Sequence, residues 1–408
     1  MSQPTLRRVV TLPFLIFYGV GTMVGCGFYA LMGKVVGVAG MATPIAFAFC
    51  GLLALLTALS FAELSSRFPV SMGSARYMYE GFASIRLSTV TGWLVILSGV
   101  VSAAALAVAS VGFLGDMWTI DPVPAIIIIV AAMVAVAAWG IGPSIAVVSL
   151  ITTIEVAALL YVFGANLDGL SHLPERWLEL LALDSPLEFG WIGVLAGAFL
   201  AFYAMIGFED MVTLAEEVKS VRRTLPIAIV VSILLTTLLY IMVSLVAVLS
   251  LDLDTLAFSA TPMAELVREQ GHIARIGLWS VSLMTGINGA LVQLVMAARV
   301  AYGMAERNQA PGWLGIIHPH TRTPVRATLG IGAVTLALAL LFPLTTLAKI
   351  TSAILLLVFA GVNLALWRIK GANPDVAGAG PRYPRWVPMT GFTVSLLVLL
   401  FQGWYELG

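Results

Sequence analysis

Eleven stretches of mostly apolar residues, separated by polar breaks, run the length of the chain. The first five lie near Thr11 to Gly33, Met41 to Ser65, Ser88 to Asp116, Val123 to Ile141 and Ser144 to Ala165. Six more lie near Gly190 to Glu216, Leu225 to Leu251, Ile276 to Arg299, Ala327 to Phe342, Ala348 to Trp367 and Trp386 to Trp404. A helix needs about 20 such residues to cross a bilayer. The stretches are continuously apolar and do not alternate. A membrane barrel is therefore excluded, because only a helix satisfies its backbone within one such segment. The predicted fold is an all-α integral membrane protein of eleven transmembrane helices.

Charge placement orients it. With the N-terminus cytoplasmic, that side holds sixteen of the 21 Lys and Arg residues, among them Arg67, Lys219, Arg222, Arg299, Arg368 and Lys370. The other side holds Lys34, Arg176, Arg268, Arg275 and Lys349. This asymmetry predicts a cytoplasmic N-terminus and an external C-terminus. The break after the fifth stretch carries Asp168, Glu175, Glu179, Asp184 and Glu188, which suits an external loop.

Composition agrees. Hydrophobic residues make up 60% of the 408 positions and charged residues 10%, against about 25% in soluble domains. The mean hydropathy is +1.01. A net charge of zero leaves no basic surplus for nucleic acid. Cys26 and Cys50 lie in apolar runs, which excludes a disulfide framework. The four histidines fall in polar connections, away from any metalloprotease-like motif in the spans. The first stretch has no small-residue cleavage site and reads as a span, not a signal peptide. No phosphate-binding Gly-x-x-x-x-Gly-Lys motif occurs, so ATP does not drive the protein, and no cofactor is expected. Residues 1–408 read as one membrane domain without a soluble catalytic module. That organisation points to a transporter and not an enzyme.

Two stretches are interrupted. The first carries Gly19, Gly21, Gly25 and Gly27 within nine residues, and each interior glycine costs about 1 kcal/mol of helix propensity. Gly21 and Gly25 also form a Gly-xxx-Gly pair, which suits close helix packing. The other reading is an unwound midpoint, where the amides of Gly25, Cys26 and Gly27 hold a carboxylate. The sixth stretch is broken by Gly207, Glu209 and Asp210. Each interrupted stretch is the first of a set of five, the pointer to an inverted-repeat transporter. The halves are 11–166 and 190–370, with 386–404 as an extra helix.

At these positions the chain resembles the amino acid/polyamine/organocation (APC) superfamily of permeases. Gly25-Cys-Gly27-Phe28 is similar to that family's Gly-x-Gly-Ile-Phe pattern. Ala62-Glu-Leu-Ser-Ser-Arg67 continuing to Pro69, Gly73 and Tyr77 resembles its signature after the second span. Further matches are Gly207-Phe-Glu209 with Ala215-Glu-Glu-Val-Lys219, and Arg299-Val-Ala-Tyr-Gly-Met-Ala305 with Thr323-Pro324. The resemblance implies a LeuT-type five-plus-five inverted repeat with broken helices 1 and 6, and transport of amino acids or related amines across the cell membrane. Where many proton-coupled members have a lysine, this chain has Glu155.

The candidate substrate residues are Gly25, Cys26, Gly27, Tyr203, Ala204, Gly207 and Asn288. Tyr203 stands just before the second break, where the family places an aromatic over the substrate; core packing is the other explanation. Asn288 serves equally as an interhelical hydrogen-bonding group. Arg299 is expected to snorkel to the cytoplasmic face. The candidate coupling residues are Glu155 and Glu209, the latter equally suited to capping the second half-helix. A charge at mid-membrane costs at least about 2.5 kcal/mol, so Glu155 must be neutral, paired or facing water. From Asn288 to Arg299 there is no Ser or Thr to ligate sodium, which favours protons. The alternatives are an ion-independent amino acid or amine exchanger and, from another class, a channel or membrane sensor. The partners expected are a small amine or amino acid, protons and the lipid bilayer.

Overall fold

A computed structural model describes residues 8, 10–69, 73–140, 145–181, 190–372 and 380–407; for Cys26 and residues 145–148 it describes the backbone alone. Helices account for the regular structure among these residues. Their order begins α1 (Leu12–Val24), α2 (Cys26–Ala39), α3 (Thr43–Arg67), α4 (Gly73–Phe82), α5 (Ile85–Met117), α6 (Pro122–Trp139), α7 (Ile145–Ala165) and α8 (Leu173–Leu180). It continues with α9 (Trp191–Ala201), α10 (Val221–Ser250), α11 (Leu253–Phe258), α12 (Pro262–Glu265), α13 (His272–Ala305), α14 (Val325–Leu341), α15 (Leu344–Ala372) and α16 (Trp386–Leu407).

Local chemistry sets several ends. The Asp121 side chain accepts from the Val123 amide at 3.0 Å and Pro122 opens α6, while Gly140 at φ 86° closes it. Gly40 at φ 56° turns the chain between α2 and α3. By length and composition, eight helical runs among the described residues can cross a membrane, or nine if the pair bent by 51° near Asn166 is one span. One of the eight is the 41-residue run Gly27–Arg67, which includes the Gly40 turn. Leu12–Val24 and Val325–Leu341 are shorter apolar helices. The chain is thus a multi-pass membrane protein, helical throughout its regular structure among the described residues.

Two helix pairings organise the interior: α13 lies along α5, and α10 lies along α3. Between them α1 packs on α10 and α7. Large apolar side chains such as Ile128, Leu234 and Leu400 remain exposed, as an apolar solvent permits. A parallel bridge joins Val10 to Val218, with the Val10 amide donating to Glu217 O at 3.0 Å and the Lys219 amide to Val10 O at 2.9 Å. This bridge fastens the start of α1 to the chain that follows the run Trp191–Leu214.

Candidate functional site

Both predicted interruptions are real breaks. Helix α1 ends at Val24 and α2 begins at Cys26, with Gly25 between them at ψ −166°. In the sixth span α9 gives way to a 3-10 turn, Phe202–Met205, then to extended Ile206 and Gly207 at φ 123°, then to a second 3-10 turn, Phe208–Leu214. That φ is open to glycine and strained for side-chain-bearing residues.

The breaks meet. A Cβ on Gly207 would lie 2.8 Å from the carbonyl oxygen of Thr22, and one on Gly27 would lie 2.9 Å from the Cα of Ala204. Glycine is needed at both because backbone runs against backbone. Thr22 Oγ1 donates to Gly19 O at 3.0 Å and stands 3.3 Å from Gly207 O. The Tyr240 hydroxyl on α10 lies 2.6 Å from Met23 O and 3.0 Å from Ala204 O, so one O–H is shared between a carbonyl of each broken span. Helix ends leave such carbonyls without an intrahelical donor. Phe28 stacks on the Tyr240 ring at 4.2 Å.

A cavity of about 280 Å³ opens beside the crossing. Gly25, Gly27, Tyr203, Asn288 and Glu155 all line it, so five predicted residues from four spans converge. Tyr203 is 3% exposed, and its hydroxyl lies 2.8 Å from Ser102 Oγ on α5. Ala204 and Gly207 sit behind the wall as the packing surface of the breaks. Glu209 also lies outside this cavity: one carboxylate oxygen accepts from the Gly207 amide at 2.9 Å, a cap on the second turn, and the residue faces a smaller adjoining chamber. Cys26 contributes the first residue of α2, and its side chain lies outside the described residues.

The geometry corrects two details. The Gly25 amide donates to Gly21 O at 3.2 Å, so it belongs to α1 and is not free for a carboxylate; the start of α2 is what remains. Gly21 and Gly25 do not act as one packing pair either. A Cβ on Gly21 would fall 1.9 Å from Thr152 Oγ1, whereas Gly25 has nothing closer than 3.6 Å.

Glu155 is 2% exposed at the cavity wall on α7, and its own carbonyl accepts from the Tyr29 hydroxyl at 2.7 Å, tying α7 to α2. Near it on α13 is Thr285, 1% exposed, whose hydroxyl is directed at the Glu155 carboxyl and meets no other hydrogen-bonding group among the described residues. Thr285 lies one turn before the span-eight segment in which Ser and Thr are absent, so reading from Asn288 onward misses it. Tyr240 and Ser102 are missed for a plainer reason: a lone hydroxyl in an apolar run carries no spacing signal. Toward one end the lining passes Tyr18 and Asp210 to Val10, Glu217 and an exposed Arg299.

The profile of the amino acid permease family matches residues 10–407. An uncharacterized transporter of Mycobacterium tuberculosis is 30% identical over 97% of this chain and 86% of its own. A branched-chain amino acid permease of Bacillus subtilis is 26% identical over 99% and 90%. A vacuolar cationic amino acid transporter of Arabidopsis thaliana is 26% identical over 88% of this chain, which spans only 63% of that relative's length. A match over nearly every described span, with both glycine breaks inside it, leads to one conclusion: the chain belongs to the amino acid permease family.

Proposed function

We propose that this protein is a secondary active permease for amino acids or related amines, working by alternating access and coupled to protons through Glu155. The observation that carries the reading is the meeting of two broken spans at one cavity that also holds a buried carboxylate. The first turn of α2 supplies backbone donors and a positive dipole end for the substrate carboxylate, and Tyr203 covers it from the sixth span. Eleven spans follow if α1 with α2, and α9 with the two 3-10 turns, each count as one. The run Gly27–Arg67 then supplies parts of two spans, since its 41 residues at about 1.5 Å each are about twice the thickness of the hydrocarbon core. The two sets of five, 11–166 and 190–370, form the inverted repeat. With the N-terminus cytoplasmic, the cavity mouth at Val10, Glu217 and Arg299 faces inward.

In this reading Glu155 is neutral when it faces one side and ionised when it faces the other. The Thr285 hydroxyl beside the Glu155 carboxyl favours one second reading, a monovalent cation held between the two. Uptake into proteoliposomes by Glu155→Gln, measured against pH and with choline replacing sodium, decides between them. Proton coupling requires that accumulation driven by an inward proton gradient is lost while exchange of bound substrate persists. Unchanged pH dependence in the variant, or an absolute sodium requirement in the native protein, would overturn it.

A further inference from the structure

The cavity of about 280 Å³ is blind at one end. Its lining stops at Leu106 on α5, Glu155 on α7, Gly27 on α2 and Thr285 on α13, although each of these helices runs on for about three turns. The unlined lengths lie together, since Asp116 near the end of α5 pairs with Arg275 near the start of α13 at 3.4 Å, and the Gln270 amide group donates to Ala165 O at the end of α7 at 3.0 Å. Tyr203 lies across this blind end. Its ring passes 3.4 Å from a Cβ built on Gly27, and its hydroxyl reaches α5, 2.8 Å from Ser102 Oγ and 3.2 Å from Ser102 O. A single O–H accommodates both contacts when the tyrosine donates to the Ser102 carbonyl and accepts from the Ser102 hydroxyl. Both residues are 3% exposed. The neighbouring serines of α5 behave differently: Ser98 and Ser110 turn back onto Val95 O and Leu106 O of their own helix, each at 2.8 Å. That is the ordinary outlet for a serine in an apolar helix. Ser102 gives its hydroxyl to another span instead.

We infer that Ser102 is a positioning residue: its clasp on the Tyr203 hydroxyl holds the ring across the blind end of the cavity, and the clasp must let go before the cavity opens to the opposite side. The inference rests on the permease reading above and adds the residue that sets the closed end. Tyr203 sits on the 3-10 turn of the broken span, whereas Ser102 sits on the uninterrupted α5. The bond therefore joins a segment with irregular backbone to a rigid one. With the clasp closed the ring is fixed over any guest in the cavity; with it open, the turn at Phe202–Met205 swings away from α5 and takes the ring with it.

The test uses the full chain carrying Ser110→Cys, a fully buried position on α5 beyond the blind end. In purified protein, reaction of this thiol with N-ethylmaleimide reports opening of that end; the reactivity of Cys26 and Cys50 is measured in the chain without the substitution and subtracted. Ser102→Ala should speed the labelling about threefold to tenfold, the range expected of one buried hydrogen bond. Ser102→Thr, which keeps the hydroxyl, should return it to the native rate. Tyr203→Phe should speed it at least as much, and Ser102→Ala should add nothing in that background, because the clasp is already gone. Tyr203→Phe also carries the test if Ser102→Ala does not fold. In proteoliposomes, with the common amino acids and putrescine each tried as labelled substrate, the KM for exchange of the one carried fastest should rise in Ser102→Ala by a similar factor. Native labelling and native KM in Ser102→Ala overturn the inference. So does additive acceleration in the double variant, or a loss confined to the unfolding midpoint and the maximal rate, which is what a structural serine gives; amino acid transport stands in each of these cases. Exchange of none of these substrates by the native protein overturns the permease reading and this inference with it.

Discussion

The hydroxyl of Tyr240 lies 2.6 Å from the carbonyl oxygen of Met23, in the last turn of α1, and the same hydroxyl is 3.0 Å from Ala204 O at the other break. One side chain on α10 therefore ties both interrupted spans to a helix that is not interrupted. Removing it takes away the single O–H that these two buried carbonyls share, and a buried group left unsatisfied costs about 1 to 3 kcal/mol. Tyr240→Phe keeps the stacking on Phe28 and should lower the thermal midpoint of the purified protein modestly. Transport should fall much more, at least about tenfold, because the relative position of the breaks is lost. Equal and small losses in both measurements would show that the hydroxyl is mere packing.

Gly207 makes a sharper prediction. Its φ of 123° and the 2.8 Å approach of a built Cβ to Thr22 O act together, so even alanine is strained twice. Strain of this kind costs about 1 to 3 kcal/mol. Gly207→Ala should push the two breaks apart and reduce uptake severely, whereas Gly303→Ala, where a Cβ meets nothing within 4 Å, should leave uptake unchanged. Similar uptake by the two variants, at matched amounts of folded protein, would remove the argument for close backbone approach.

Most of the architecture was legible because lipid as solvent leaves few options: long apolar runs must be helices, and a run studded with Gly19, Gly21, Gly25 and Gly27 must yield somewhere. The pattern located the breaks, and the structure brings Tyr203, Asn288 and Glu155, singled out separately in the sequence, to one cavity. What it missed depends on rotation about helix axes. Ser102 faces the cavity and Ser110, two turns on, bonds to Leu106 O at 2.8 Å; nothing in their sequence surroundings separates them. The role of Glu209 as a cap, with Asp210 turned to the cavity, is likewise set by a 3-10 twist that a helical wheel does not represent.

Orientation can be checked directly. The excess of Lys and Arg on the side of Arg67, Arg223 and Arg368 predicts reporter fusions active on the external face when placed after Gly408 or in the loop near Glu179. A fusion at Asn308 should report the cytoplasm. A cytoplasmic signal from Gly408 would mean that one of the eleven proposed spans does not cross, the shorter Val325–Leu341 being the first to re-examine.

The last prediction concerns Glu63, which is fully buried on α3 and accepts from Lys370 Nζ on α15 at 2.5 and 2.6 Å, from Arg67 at 2.6 Å and from the Tyr383 amide at 3.0 Å. Two cations share one carboxylate, and the Arg67 and Lys370 side chains are 4% and 10% exposed. Lys370→Met leaves Glu63 with Arg67 and the amide, so the loss should be partial. Glu63→Gln leaves two buried cations facing each other without an anion, and breaking a buried pair in this way costs about 3 to 5 kcal/mol. Glu63→Gln should therefore lower the unfolding midpoint more than Lys370→Met does. Adding Lys370→Met to Glu63→Gln should restore part of the loss, because it removes one of the stranded charges, a coupling that a double-mutant cycle isolates. Additive losses in the double variant would mean that the three groups are bystanders in the packing of α3 on α15.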